Sequence, residues 1–168
     1  MAWTDRLSRR LGVPVATPMH ACALALKTLG ARRVALLSYF GEELTAALAT
    51  YFAHYGLDSK VLEGYRTGRE SEGLFSAPLM SLDEVSKEQV YRYCCDAVLP
   101  YRSQVDGLFV AGSGWDATPI VEYLERDLGI PVVVSLLGQV WYALRRMHIV
   151  EPVNGYGTLL RDHASAAV

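Results

Sequence analysis

A serine between two glycines, Gly112-Ser113-Gly114, follows the apolar run Leu108-Phe109-Val110-Ala111 and precedes a Thr118-Pro119 helix start. That order reads as a buried strand opening onto a site. Gly112 and Gly114 allow positive φ and close approach of a ligand to the backbone, and the free donors at the next helix's first turn are suited to an anion. Ser113 is the side chain offered there, so it is the candidate nucleophile. A serine hydroxyl needs an adjacent base, for which the neighbourhood supplies only Asp116. The hydrolase elbow Gly-x-Ser-x-Gly is not met, because the flanking positions are Ala111 and Trp115. The other role open to Ser113 is that of a hydrogen-bonding loop residue.

The elements that must position this loop alternate along the chain. Arg33 to Ser38 is a short apolar strand, followed by a helical pattern from Leu44 to Tyr55 that Gly56 stops. Lys60 to Glu63 reads as a second strand, and Ser81 with Glu84 three residues on has the spacing of a capping box for a helix reaching Pro100. Gly107 to Ala111 is a strand, Pro119 to Leu128 a helix, Ile130 to Ser135 a strand, and Gln139 to Met147 a last helix. Such alternation predicts an α/β fold, a Rossmann-like parallel four-stranded sheet with helices on both faces. Ligands in such sheets bind beyond the carboxyl ends of the strands. Those ends are Ser38-Tyr39-Phe40, the loop after Glu63, Gly112-Ser113-Gly114 with Trp115, and Ser135.

Composition narrows the function classes. With 168 residues, 51% hydrophobic and 20% charged, the chain is ordinary globular material, and a net charge of -2 gives no footprint for nucleic acid. Cys94 and Cys95 are adjacent and Cys22 is far away, which fits neither a disulfide framework nor a zinc site. That usage predicts a reducing, cytoplasmic compartment. No apolar run reaches the roughly 20 residues of a membrane span, and Met1 to Arg10 lacks a signal-peptide core. Cys22, Cys94 and Cys95 read as packing residues, and His148 and His163 have no partner at metal spacing. Arg66, Arg69, Glu70 and Glu72 form a mixed-sign cluster that is either a solvated surface or a clamp for an anion.

Leu11-Gly12-Val13-Pro14-Val15 recurs as Leu128-Gly129-Ile130-Pro131-Val132, and each copy leads through Thr17 or Ser135 into a helix carrying Ala25-Leu26-Lys27 or Ala143-Leu144-Arg145. The two copies differ by one residue of register between strand and helix. A duplicated lobe explains the match, and so does the ordinary punctuation where a helix ends and a strand begins.

The phrases Gly12-Val13-Pro14-Val15-Ala16-Thr17, Leu29 to Leu37 and Leu124 to Val133 resemble the aspartate/glutamate racemase superfamily, most of all its maleate cis-trans isomerase and arylmalonate decarboxylase branch. The resemblance implies two pseudo-symmetric Rossmann-like lobes with the active site between them and no metal or organic cofactor. On this basis residues 1–30 are a remnant of the first lobe with its crossover helix, 31–135 a complete lobe, and 136–168 a C-terminal helix and strap returning to the first lobe. It also implies two cysteines, one per lobe, working on a small carboxylic acid. A thiolate flanked by loop amides is a competent base or nucleophile, and the same amides stabilise an enediolate.

Three departures stand out against that pattern. The second-lobe cysteine position is Gly112 here, with Ser113 beside it. The Thr-x-Tyr that contacts substrate corresponds to Ser38-Tyr39-Phe40, which puts Phe40 at the aligned position and Tyr39 one residue off. Met1 to Leu7 resembles a point just beyond the first cysteine loop, so a strand over Val13 to Ala16 would lack sheet neighbours. His20 follows the first repeated strand, at a position that faces the cleft in the family. The substrate-binding candidates are therefore Ser38, Tyr39, Phe40, Gly112, Ser113, Gly114 and Trp115, with no metal ligand. The function expected is a cofactor-independent isomerase, racemase or decarboxylase of a small carboxylate or dicarboxylate. The alternatives are a non-catalytic carboxylate binder and a module that pairs with itself. Trp141 and Tyr142 on the last helix, with an exposed first-lobe edge, suggest a homodimer.

Overall fold

The computed structural model describes residues 3–65 and 85–166. In chain order they form α1 (Trp3–Leu11), α2 (Pro18–Thr28), β1 (Arg33–Leu37), α3 (Glu42–Ala53), β2 (Asp58–Val61), α4 (Lys87–Val98), β3 (Gly107–Val110), α5 (Val121–Leu128), β4 (Val132–Val134), α6 (Ser135–Arg146) and α7 (Thr158–Asp162). Short 3-10 turns at Leu99–Tyr101 and Thr118–Ile120 follow α4 and precede α5. The strands make one parallel sheet in the order β2-β1-β3-β4.

The central strands explain this order. Val34 to Leu37 of β1 and all of β3 are buried, so neither face of these strands meets water and helices must cover both. Phe52 of α3 stacks edge-on against Phe109 of β3, with ring centroids 4.9 Å apart, which pins that helix to the sheet. Helix α2 packs on α6, α3 and β4, and α4 packs on α5. Local signals set the helix limits. Thr17 Oγ1 accepts from the His20 amide with Pro18 in the first turn, and α5 ends where Gly129 takes the left-handed φ of 63°.

Some boundaries depart from the sequence reading. Val13 to Ala16 is not a strand but an extended link between α1 and α2, with Val13 55% exposed. A ladder needs a neighbour, and among the described residues this segment has none. Its counterpart Val132–Val134 finds β3 and becomes β4. The second strand lies at Asp58–Val61 rather than over Lys60 to Glu63, because pairing with β1 starts at Arg33↔Asp58. The last helix starts at Ser135, directly after β4, instead of near Gln139. Ser81 and Glu84 lie outside the described residues. The capping box seen on α4 is Ser86 with Gln89, each side chain bonded to the other's backbone amide.

Two ties hold the ends of the sheet. Glu125 accepts from the Val132 amide at 3.1 Å and from both the amide and hydroxyl of Thr158 at 2.8 Å, joining α5, β4 and α7. At the amino ends of β1 and β3, Asp106 Oδ1 accepts the Arg32 and Arg33 amides, each at 2.7 Å, and Oδ2 accepts from Arg33 Nε at 3.2 Å. Burial alone would raise the Asp106 pKa, but the two amides and the guanidinium outweigh it and hold the carboxyl below its ordinary value.

Because the folded pKa lies below the unfolded one, this contribution is complete above about pH 4 and is lost as the pH falls through the folded value. Asp106→Ala is expected to lower unfolding free energy by roughly 1–2 kcal/mol at pH 7, after discounting for solvent exposure. Urea titrations at pH 7 and pH 3 check this, since the loss must shrink at the lower pH.

Candidate functional site

All four strands run in parallel, so their carboxyl ends share one edge. The last paired residues there are Leu37 with Val110 and Val110 with Val134. The chain leaves this edge through Ser38-Tyr39-Phe40, Ala111 to Trp115, and Ser135. The Ala111 amide still bonds to Leu37 O at 2.8 Å, extending the ladder by one step. Beyond it Gly112 turns with φ of 91°, in the region that favours glycine.

Internal partners fix the loop. Gly112 N donates to Ser135 Oγ at 3.0 Å, and that hydroxyl donates in turn to Val110 O at 3.5 Å. Gly114 N donates to the Tyr39 phenol oxygen at 2.9 Å. Tyr39 is buried and meets Trp115 edge-on at 5.3 Å and Phe40 at 4.9 Å. Trp115 is enclosed further by Tyr65 and Tyr93, at 5.3 and 5.6 Å. Among the described residues its indole Nε1 is buried with no hydrogen-bond partner. The strand ends therefore carry a closed aromatic cluster with one unused donor.

The candidates divide by position. Tyr39, Phe40, Gly112, Gly114 and Trp115 lie together. Ser38 is buried beneath them, its hydroxyl 2.9 Å from Thr45 Oγ1 and accepting the Phe40 amide at 3.3 Å, so it braces the turn into α3. Ser113 is exposed, and among the described residues its hydroxyl has no partner. Asp116, the one base the sequence offered it, is 3.5 Å from Lys87 in an exposed ion pair. Arg66, Arg69, Glu70 and Glu72 lie outside the described residues.

Ser135, Thr45, Tyr65 and Tyr93 join the site without having been named as ligand residues. Ser135 had a signal, since it ends a strand. Tyr93 had none, because it sits inside α4, far along the chain from Trp115. The aligned Phe40 packs on Tyr39, and it is Tyr39 that reaches the loop.

No cysteine lies in the loop itself, but one lies behind it at Ser135. Cys22 in α2 is fully buried with its thiol 3.6 Å from Ser135 O, and burial pushes its pKa up to about 12. Burial, helped by neighbouring Cys95, raises the Cys94 thiol as well. Cys95 is half-buried in mid-α4, its thiol also raised chiefly by burial. His20 is held in the α2–α3–α6 junction, sharing a 2.7 Å hydrogen bond with Tyr55, which is 3.1 Å from Tyr51. Burial lowers the His20 pKa against an opposing pull from Asp5. Among the described residues, no group of three His, Cys, Asp or Glu side chains could hold a metal ion, and no helix is long and apolar enough to cross a membrane.

The arylmalonate decarboxylase family model matches residues 2–160, and the chain belongs to that family. An arylmalonate decarboxylase from Bordetella bronchiseptica is 28% identical over 144 residues, which cover 86% of this chain and 56% of that protein. The structure of unliganded arylmalonate decarboxylase superposes with a TM-score of 0.80 at 25% identity, over 94% of this chain and 64% of that one. The fold is shared more widely. Nocardia farcinica maleate cis-trans isomerase gives a TM-score of 0.75 at 24% identity over 97% of this chain and 64% of its own. The maleate isomerase Iso from Pseudomonas putida S16 gives 0.77 at 18% identity over 95% and 62%. The expected α/β sheet and superfamily branch thus hold, and the chain spans less than two thirds of each of these relatives.

Ser135→Ala removes the acceptor of a buried amide and is expected to cost about 1–3 kcal/mol, read by chemical denaturation. Thiol titration of the native protein near pH 8 should label Cys95 at most, with Cys22 and Cys94 reacting only after unfolding. Rapid native labelling of Cys22 would contradict its burial.

Proposed function

We propose that this chain is a cofactor-independent isomerase, racemase or decarboxylase acting on small carboxylic acids, whose carboxylate the strand-end loop holds. Membership of the arylmalonate decarboxylase family over residues 2–160 carries the reading. Its support within the chain is the strand-end loop Gly112 to Gly114, at the edge where parallel α/β sheets bind ligands. A carboxylate there would take the Gly114 amide now bonded to Tyr39, with the exposed Ser113 hydroxyl beside it. In decarboxylation the carbon–carboxylate bond breaks, carbon dioxide leaves, and the electron pair is held as an enediolate by the remaining carboxylate until a proton arrives. Loop donors serve that charge. The reading invokes no metal or organic cofactor and takes the cytoplasm as the setting.

A second reading, a binder of small carboxylates without turnover, is favoured by one observation. The position that the resemblance assigns to a cysteine is Gly112, and Cys22, Cys94 and Cys95 all lie within helices, Cys22 buried behind the loop against Ser135 O.

Incubation with phenylmalonate and, separately, with maleate distinguishes the two readings. The enzyme reading expects phenylacetate or fumarate by NMR, together with a rise in melting temperature. At 100-fold excess over Kd the stabilisation is about 2.7 kcal/mol. A melting shift without product supports the binder. Neither product nor shift at large excess rejects both.

A further inference from the structure

Pairing of Leu37 with Val110 sets Tyr39 and Gly112 side by side, each two residues beyond the last paired position. A β-carbon built on Gly112 would lie 2.4 Å from Tyr39 Cε1, 2.5 Å from Cζ and 2.6 Å from the phenol oxygen, well inside contact distance. The same oxygen accepts the Gly114 amide at 2.9 Å. The ring is 3% exposed and stands at 89° to Trp115 and 70° to Phe40. It cannot leave unless those neighbours repack.

We infer that Tyr39 is the specificity-determining residue of the loop. Its phenol fills the room that any side chain at position 112 needs and holds the amide that a carboxylate needs. A ligand enters only by displacing it. The hole left behind is walled by Phe40 and Trp115, and an aromatic carboxylate, the ligand class that the reading above already carries, is the probe for it. The ligand half of this inference rests on the carboxylate reading above. The occupation of space by Tyr39 does not.

A double-mutant cycle combined with benzoate binding tests both halves. Gly112→Ala is made in the wild-type and in the Tyr39→Ala background. Backbone strain at φ of 91° is common to both arms and cancels. The substitution is expected to lower the melting temperature by at least about 4 °C more when Tyr39 is present. Benzoate is expected to bind Tyr39→Ala at least about tenfold tighter than wild type, with acetate showing no such gain and Tyr39→Phe, which keeps the ring, binding benzoate no tighter than wild type. If Tyr39→Ala does not fold, Tyr39→Leu, which lacks the far end of the ring, carries the same comparison.

Additive melting shifts, or benzoate binding to wild type and Tyr39→Ala with the same measurable affinity, overturn the inference. Additive shifts together with benzoate binding to wild type would reject Tyr39 while leaving the carboxylate reading intact. Coupling with no benzoate binding to either protein upholds Tyr39 as the occupant and rejects the carboxylate reading instead.

Discussion

The in-register pairing of β1 with β3 is the constraint on which the rest of the site depends. Four consecutive pairs, from Val34↔Gly107 to Leu37↔Val110, fix where each strand ends. Both strands are buried on two faces, so a slip of one residue would drive the wrong side chains into each helix layer and is strongly disfavoured. Asp106 locks the opposite end by accepting the two amides that open β1. With both ends fixed, Tyr39 has to stand beside Gly112. A slip of one residue would turn the phenol to the other face of the sheet and leave the Gly114 amide without its present acceptor.

Much of this was legible in the sequence, for a physical reason. Strands buried on two faces read as unbroken apolar runs, so Val34 to Leu37 and Leu108 to Val110 announced both themselves and the site edge. Gly112 announced the turn, because a positive φ there leaves little choice of residue. The failures came where a partner decides the outcome. Val13-Pro14-Val15 and Ile130-Pro131-Val132 look alike, yet among the described residues only the second leads into a strand with a neighbour to pair with. The partner of Tyr39 was illegible for the same reason, since Ser38-Tyr39-Phe40 offered both rings and only the register between two distant strands brings the Tyr39 phenol to Gly114.

Among the described residues, charge has little part in holding the site together: the ion pair beside the loop, Lys87 with Asp116, is exposed on both sides and adds little. What closes the edge is aromatic packing around Trp115 and two amide hydrogen bonds, Gly112 to Ser135 and Gly114 to Tyr39. Both acceptors are neutral hydroxyls. An anion arriving at either amide offers a stronger acceptor than the hydroxyl it displaces, and that difference is the driving force available for opening the loop.

The two matched segments put corresponding hydroxyls to different uses. Helices α2 and α6 pack on each other, and a β-carbon on Gly138 would lie 2.9 Å from Cys22 Sγ, so the two helices meet as closely as glycine allows. Thr17 is the N-cap of α2, and its hydroxyl is consumed by the His20 amide of its own helix. In the second copy the N-cap is Val134, and the hydroxyl falls one residue later, on Ser135 in the first turn of α6. From there the side chain no longer sits where an N-cap side chain accepts its helix's own amides, and Ser135 bonds across to Gly112 and Val110 of the neighbouring strand and loop. A single residue of register between the two segments thus separates a hydroxyl that caps a helix from one that holds the loop.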